Sequence, residues 1–168
     1  SITKIENIMK ENSIFMVIPG DTYFDFELLQ EIIMLTKSYS NLIHDTSILF
    51  YQELKGIKLR NEHISIIKTE KNQVQEKIKQ IEQLQLKSIH RENYYKQIVP
   101  IFVLGFKYLE YLIETEKKDL AKSIRDIINV LIKEKKSVYA IPINSKNSFY
   151  DIDTQLDFLR LTRKKRGQ

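Results

Sequence analysis

Carboxylates near the C-terminus form the first candidate for chemistry. Asp151 and Asp153 lie two residues apart, and Asp157 follows them. Carboxylate oxygens at this spacing in a loop can hold Mg²⁺ or Ca²⁺. The segment lacks the glycine and the distant glutamate of a calcium-binding loop, and aspartate is a common helix N-cap. Helix capping is therefore the favoured interpretation, and metal binding is the alternative.

A second acidic group follows the Pro19-Gly20 turn. Asp21, Asp25 and Glu27 are spaced as acidic residues often are at the start of a helix. Negative side chains in a first helical turn complement the helix dipole. The sequence therefore favours a structural role here, with an active site of paired carboxylates as the minor alternative.

Other catalytic signatures are absent from the sequence. The three histidines, His44, His63 and His90, have no second histidine or cysteine at ligand spacing, and the chain contains no cysteine. A zinc site would need such neighbours. No glycine-rich phosphate loop and no nucleophile elbow is present either. We therefore predict no catalytic residue, no metal and no cofactor, and a protein that is not an enzyme.

The last candidate is a run of four basic residues, Arg163, Lys164, Lys165 and Arg166. Such a run is typical of a nuclear localisation signal or a nucleic-acid contact, although a solvated tail is the simpler interpretation. Lysines between 68 and 91 could extend a phosphate-binding surface. Glutamates are interleaved with them, which argues against that role.

Composition limits the class of protein. The chain has 168 residues, of which 42% are hydrophobic and 29% are charged, as in one folded domain. Its net charge of +5 is modest. The absence of cysteine favours a reducing compartment, and we see neither a signal peptide nor an apolar run long enough to span a membrane. An intracellular location, cytoplasmic or nuclear, is expected.

Helical periodicity dominates the middle of the chain. Glycine and proline are rare, with 4 and 3 occurrences, so the elements should be long. Apolar residues recur at alternating spacings of four and three, which predicts helices over about 22–54 and 59–96, the second as a coiled-coil arm. A third helix is predicted over 100–136, apolar almost all round at its start. The apolar stripe, or seam, of the first predicted helix consists of Leu28, Ile32, Leu35, Tyr39, Leu42, Thr46 and Leu49.

Two short apolar runs, 14–18 and 138–143, read as strands. The predicted fold class is therefore mainly α, a long-helix bundle with a coiled-coil arm and a minor two-strand β element near the bundle ends. Either a break in the third helix near 116–118 brings the strands together, or each strand pairs with another chain. Residues 1–150 form the predicted bundle domain, and residues 151–168 a short C-terminal helix and the basic tail.

These elements predict a non-enzymatic scaffold or adaptor subunit that assembles with other proteins or with its own copies. The alternative is a nucleic-acid-associated protein that uses the tail and the basic arm. No small-molecule substrate is evident from the sequence. The residues predicted to bind a partner are Ile64, Ile67, Val74, Ile78, Ile81, Ile101, Phe102, Phe106 and Tyr108.

Overall fold

Groups of strands and pairs of helices follow one another along the chain. The structure is a computed structural model that describes residues 13–43, 46–56, 63–69, 76–85, 89–117, 124–144, 149–152, 154, 155, 159 and 162. Within them the elements are β1 (Ile14–Val17), β2 (Thr22–Phe24), α1 (Phe26–Ser38), α2 (Ser40–Ile43), β3 (Ser47–Lys55), β4 (His63–Thr69), β5 (Glu76–Gln85), β6 (Tyr94–Gly105), α3 (Phe106–Lys117), α4 (Ile124–Lys133), β7 (Val138–Pro142) and β8 (Phe149–Asp151).

A mixed sheet with strand order β1-β6-β3-β7-β5-β4 forms the centre. Strand β3 pairs antiparallel with β6 along its whole length, from Ser47↔Leu104 to Lys55↔Tyr94, and parallel with β7. Strand β1 pairs antiparallel with β6. Strand β4 pairs with β5 and also touches β6 at Ile66↔Gln97, so the row of strands bends back on itself.

The central strands are apolar at successive positions because both faces of the sheet are covered. Ile48 and Phe50 of β3 belong to one buried cluster, which includes side chains of α1 and α2. Leu49 and Tyr51, on the opposite face, belong to another cluster with side chains of α3 and α4. A strand that is buried on both faces reads as a continuous hydrophobic run. The described part of the chain is therefore a three-layer arrangement with helices on both sides of a sheet.

The end of α4 is closed by a Schellman motif. Lys136 N donates to the carbonyl of Leu131 at 2.9 Å, and Lys135 N donates to that of Ile132 at 3.0 Å. These two bonds satisfy carbonyls that the end of a helix leaves unpaired. The motif places Lys135 in the left-handed region, with φ of 60°.

Replacing Lys135 with glycine is expected to raise the free energy of unfolding by about 1 kcal/mol, because glycine adopts a positive φ without the steric cost of a Cβ atom. Urea denaturation would measure the change. The matched control is Lys136→Gly, next to it, where the same substitution only adds freedom to the unfolded chain and should not stabilise. Equal effects at the two positions would contradict the prediction.

The prediction of a mainly α long-helix bundle is wrong. Strand β3 occupies the last eight residues of the predicted helix 22–54, and β4, β5 and the start of β6 lie in the predicted coiled-coil arm 59–96. Within 100–136 the chain completes β6 before α3 and α4 begin. Apolar residues in doubly covered strands do not alternate, so their spacing can match a helical seam by accident.

The two strands expected from the sequence do form, as β1 and β7, but they do not pair as a minor element. Strands β6 and β3 lie between them in the large sheet. Both therefore find partners within the chain, and α3 ends at Lys117, where a break was one of the two alternatives. The predicted boundary between residues 150 and 151 stays a prediction, and the tail lies outside the described residues.

Candidate functional site

The carboxyl ends of three strands lie toward one edge of the main sheet. Strands β1 and β3 both run antiparallel to β6, and β7 runs parallel to β3, so all three share a direction. The chain leaves β1 after Val17 and β7 after Pro142 at this edge. In open α/β sheets, ligands bind outside the carboxyl ends of the strands. This edge is therefore the first place to look for a site.

A two-stranded ribbon joins the segments that leave β1 and β7. Strands β2 and β8 pair antiparallel, with Thr22 opposite Asp151 and Phe24 opposite Phe149. The pairing continues one step further, because Ile152 N donates to the carbonyl of Asp21 at 2.7 Å. Two segments about 130 residues apart in sequence thus meet at one end of the ribbon, and each brings an aspartate.

Aromatic pairs hold the ribbon. The rings of Phe24 and Phe149 stack with centroids 6.3 Å apart, and both side chains pack against the buried cluster under α1 and α2. Tyr23 and Tyr150 stack in the same way at 6.5 Å. Because successive residues of a strand point to opposite faces, the tyrosines lie on the other face of the ribbon. A two-stranded ribbon is marginal by itself, so this packing stabilises it.

The polar groups at the end of the ribbon are acidic. Asp21 and Asp151 are exposed. Thr22, which follows Asp21 in the chain and lies opposite Asp151 in the ladder, is half-buried. The hydroxyl of Thr22 donates to Oδ1 of Asp151 at 2.9 Å. This hydrogen bond orients the Asp151 carboxylate and satisfies one of its oxygens. The arrangement offers carboxylate oxygens to solvent beside an irregular turn, Pro19-Gly20.

These residues fit a divalent cation of the magnesium type. Among the residues that the structure describes, no group of three or more metal-ligating side chains converges on a point, which argues against a closed structural metal site. Mg²⁺, however, is commonly held by one or two carboxylates together with the phosphates of a substrate. Asp21 and Asp151 each offer one exposed carboxylate at the end of the ribbon, from opposite faces, because they occupy adjacent steps of the ladder. The end of the ribbon is suited to a cation that is shared with a phosphorylated ligand.

Most of the residues predicted to bind a partner lie in the chain's own core. Buried side chains in this group are Ile64, Ile67, Ile101, Phe102 and Tyr108. Phe106 is half-buried at the start of α3, Ile78 and Ile81 lie in β5, and Val74 and Arg163 to Arg166 lie outside the described residues. Their role in binding a partner stays a prediction, and burial leaves the first five little surface for it.

The acidic residues singled out in the sequence lie in different parts of the fold. Asp25 occupies the N-cap position of α1, rather than its first turn as expected, and Glu27 lies in the first turn. Asp21 instead precedes β2, and its main-chain carbonyl accepts from Ile152, the residue after Asp151. Asp153 and Asp157 lie outside the described residues, as does His44. His63 opens β4, and the main-chain N–H of His90 donates to the hydroxyl of Tyr95 at 2.8 Å.

A signal for Asp21 was present in the sequence. The residue follows an apolar strand and a Pro-Gly turn directly, and ligands of open α/β sheets bind outside the carboxyl ends of such strands. The sequence favours a helix-start role for Asp21 because the helix is predicted to begin at residue 22, whereas it begins at Phe26. The spacing of residues in the sequence does not predict that Asp21 lies near Asp151, because this proximity depends on the β2–β8 pairing.

None of the described helices is long and apolar enough to cross a membrane. No protein-family model matches the sequence, and a comparison with curated proteins finds no match. The fold, by contrast, is shared with solved nucleotidyltransferase structures.

An apo UDP-glucose pyrophosphorylase superposes with a TM-score of 0.64 at 20% identity, over 98% of this chain and 59% of that protein. For the inositol-1-phosphate CTP transferase from T. maritima the TM-score is 0.60 at 19% identity, over 92% of this chain and 54% of that protein. The CMP:2-keto-3-deoxy-manno-octonic acid synthetase, solved with CTP, gives 0.64 at 9% identity, over 98% and 66%. The chain thus spans about 60% of the pyrophosphorylase's length.

This likeness overturns the functional predictions made from the sequence. The non-enzymatic scaffold, with its coiled coil and its protein or homo-oligomeric partners, rested on a helical bundle that the chain does not form. The nucleic-acid alternative rested partly on a basic helical arm, which is a pair of strands. The proteins that share the fold are named for small nucleotides, so the expectation of no small-molecule substrate is wrong as well. The chain has the fold of a nucleotidyltransferase.

Proposed function

We propose that this protein is a nucleotidyltransferase that joins a nucleoside monophosphate unit to a phosphorylated sugar or polyol. The observation that carries the proposal is the β2–β8 pairing, which brings Asp21 and Asp151 to adjacent steps at one end of the ribbon, near the carboxyl edge of the sheet. The shared fold supports it, since the proteins with that fold are named for UDP-glucose, inositol-1-phosphate and CTP. The acceptor class follows from the phosphorylated small molecules in those names.

The transfer proceeds by displacement at phosphorus. An oxygen of the acceptor phosphate attacks the α-phosphorus of the triphosphate, the bond from that phosphorus to the bridging oxygen breaks, and pyrophosphate leaves. A bound divalent cation supplies charge neutralisation on the phosphate oxygens. Asp21 and Asp151 would hold it around the end of the ribbon, each from its own face, and Thr22 keeps the Asp151 carboxylate in one orientation through its hydroxyl.

The site also explains why two distant segments are tied together. Ligands for one cation must be held in a fixed relation, and the β2–β8 ladder with its Phe24–Phe149 anchor provides this. As part of the proposal we place the activity inside the cell, cytoplasmic or nuclear, where nucleoside triphosphates are supplied.

Phosphorus NMR tests the proposal on the protein as it stands. The protein is incubated with MgCl₂, one of ATP, CTP, GTP, UTP or dTTP, and either glucose 1-phosphate or inositol 1-phosphate. Pyrophosphate and a new diphosphate diester should appear with one triphosphate, only when the acceptor is present, and not in EDTA. The proposal fails if no combination reacts and calorimetry detects no binding of any magnesium–triphosphate complex.

A further inference from the structure

Asn144 is held by side chains at both of its main-chain polar groups. It follows the end of β7, and its N–H donates to Oε1 of Glu31 at 2.9 Å. Its carbonyl accepts from Nε2 of Gln52 at 3.3 Å. One residue before it, Ile143 N donates to the carbonyl of Tyr51 at 2.9 Å. Three consecutive hydrogen bonds therefore fix the chain where it leaves the sheet.

The two side chains come from different layers of the fold. Glu31 lies in the middle of α1 and is half-buried, whereas Gln52 lies in the central strand β3 and is only 3% exposed. A buried amide is costly unless it is hydrogen-bonded, so an apolar residue would be the ordinary choice at position 52. A glutamine there donates from its side-chain amide to the Asn144 carbonyl and so helps to hold this point of the main chain.

The point that they hold is the last described residue before β8, whose last residue is Asp151. Residues 145–148, between Asn144 and β8, lie outside the described ranges. Helix α1 directly follows β2 in the chain. The Glu31–Asn144 hydrogen bond therefore ties the segment after Asp21 to the segment before Asp151. We propose that Glu31 and Gln52 are positioning residues, which act through Asn144 to set the place of β8 and of the Asp151 carboxylate. The part of the inference that concerns cation binding rests on the proposed function. The part that concerns the geometry of β8 is independent of it.

Hydrogen exchange tests the geometric part. The amide of Ile152, bonded to the Asp21 carbonyl, reports on whether the ribbon end is closed. In Glu31→Ala it should exchange about fivefold faster, as loss of one hydrogen bond allows. In Glu31→Gln, whose side-chain oxygen can still accept from Asn144, exchange should stay within about twofold of the unaltered protein. This pair separates the hydrogen bond from the charge, because both variants remove the carboxylate.

Electron paramagnetic resonance with Mn²⁺ alone tests the cation part. Glu31→Ala should weaken Mn²⁺ binding about tenfold, as loss of a supporting residue around a metal ligand does, and Glu31→Gln should restore it. The inference is overturned if Glu31→Ala melts at a lower temperature while Ile152 exchange and Mn²⁺ binding are both unchanged, since Glu31 would then only stabilise the fold. Absence of Mn²⁺ binding by the unaltered protein would count against the proposed function, and Ile152 exchange would then decide the inference by itself.

Discussion

Asp21→Asn is expected to weaken Mn²⁺ binding by about 100-fold or more and to abolish pyrophosphate release, while the protein stays folded. Losing a direct ligand should cost at least as much as losing a supporting residue, which costs roughly 10- to 100-fold. Asparagine keeps the size of the side chain but not its charge, and Mg²⁺-type cations prefer carboxylate oxygens. Because Asp21 is exposed, the substitution leaves no buried group unsatisfied. Mn²⁺ titration and phosphorus NMR would measure the two effects.

Glu134→Gln is the matched control. Glu134 is an exposed acid that follows α4 and precedes β7, so it lies toward the amino end of that strand, opposite to the candidate site. The substitution removes the same charge from the protein, and we expect Mn²⁺ binding and turnover to remain within about twofold of the unaltered protein, as screened surface charges allow. If Asp21→Asn and Glu134→Gln reduce both readouts equally, the cation is not held at the ribbon end.

Phe50→Ala is expected to lower the free energy of unfolding by about 3–5 kcal/mol, the largest stability effect that we predict. The side chain is fully buried in the central strand, between β6 and β7, and belongs to the cluster under α1 and α2. Its removal takes away apolar contacts and leaves a cavity that a close-packed sheet cannot fill. Urea denaturation at constant pH would measure the loss.

Phe26→Ala provides the comparison. Phe26 opens α1 and is 68% exposed, so its truncation should change the stability by no more than about 0.5 kcal/mol. Leu49→Ala, on the opposite face of the same strand, should again be costly because that face is covered by α3 and α4. A helical seam through position 49 would make only that residue costly. Similar small effects for Phe50→Ala and Phe26→Ala would contradict the two-sided sheet.

Local signals in the sequence identified the elements whose packing is simple. The apolar runs 14–18 and 138–143, flanked by turn residues, predicted β1 and β7. The spacing of Leu28 and Ile32 predicted the buried stripe of α1, and both residues are fully buried. The run of β1 ends at Pro19-Gly20 and the stripe of α1 packs against one cluster, so the spacing of their hydrophobic residues is informative. Strand β7 contributes residues to both clusters and was recognised by its short apolar run alone. The carboxylates themselves were also visible as candidate ligands.

Tertiary structure decided the rest. Residues 47–55 and 94–105 form strands because they pair with each other across about 50 residues of sequence, and no local pattern encodes that pairing. Because both faces of these strands are covered, their sequence lacks the alternation that marks a strand, and the spacing of their apolar residues resembled that of a helix.

The candidate site likewise depends on long-range pairing. Asp21 and Asp151 were readable one by one as acidic residues near a turn and a helix start, but only the β2–β8 ladder brings them together, because long-range pairing is a property of the folded chain and not of any segment.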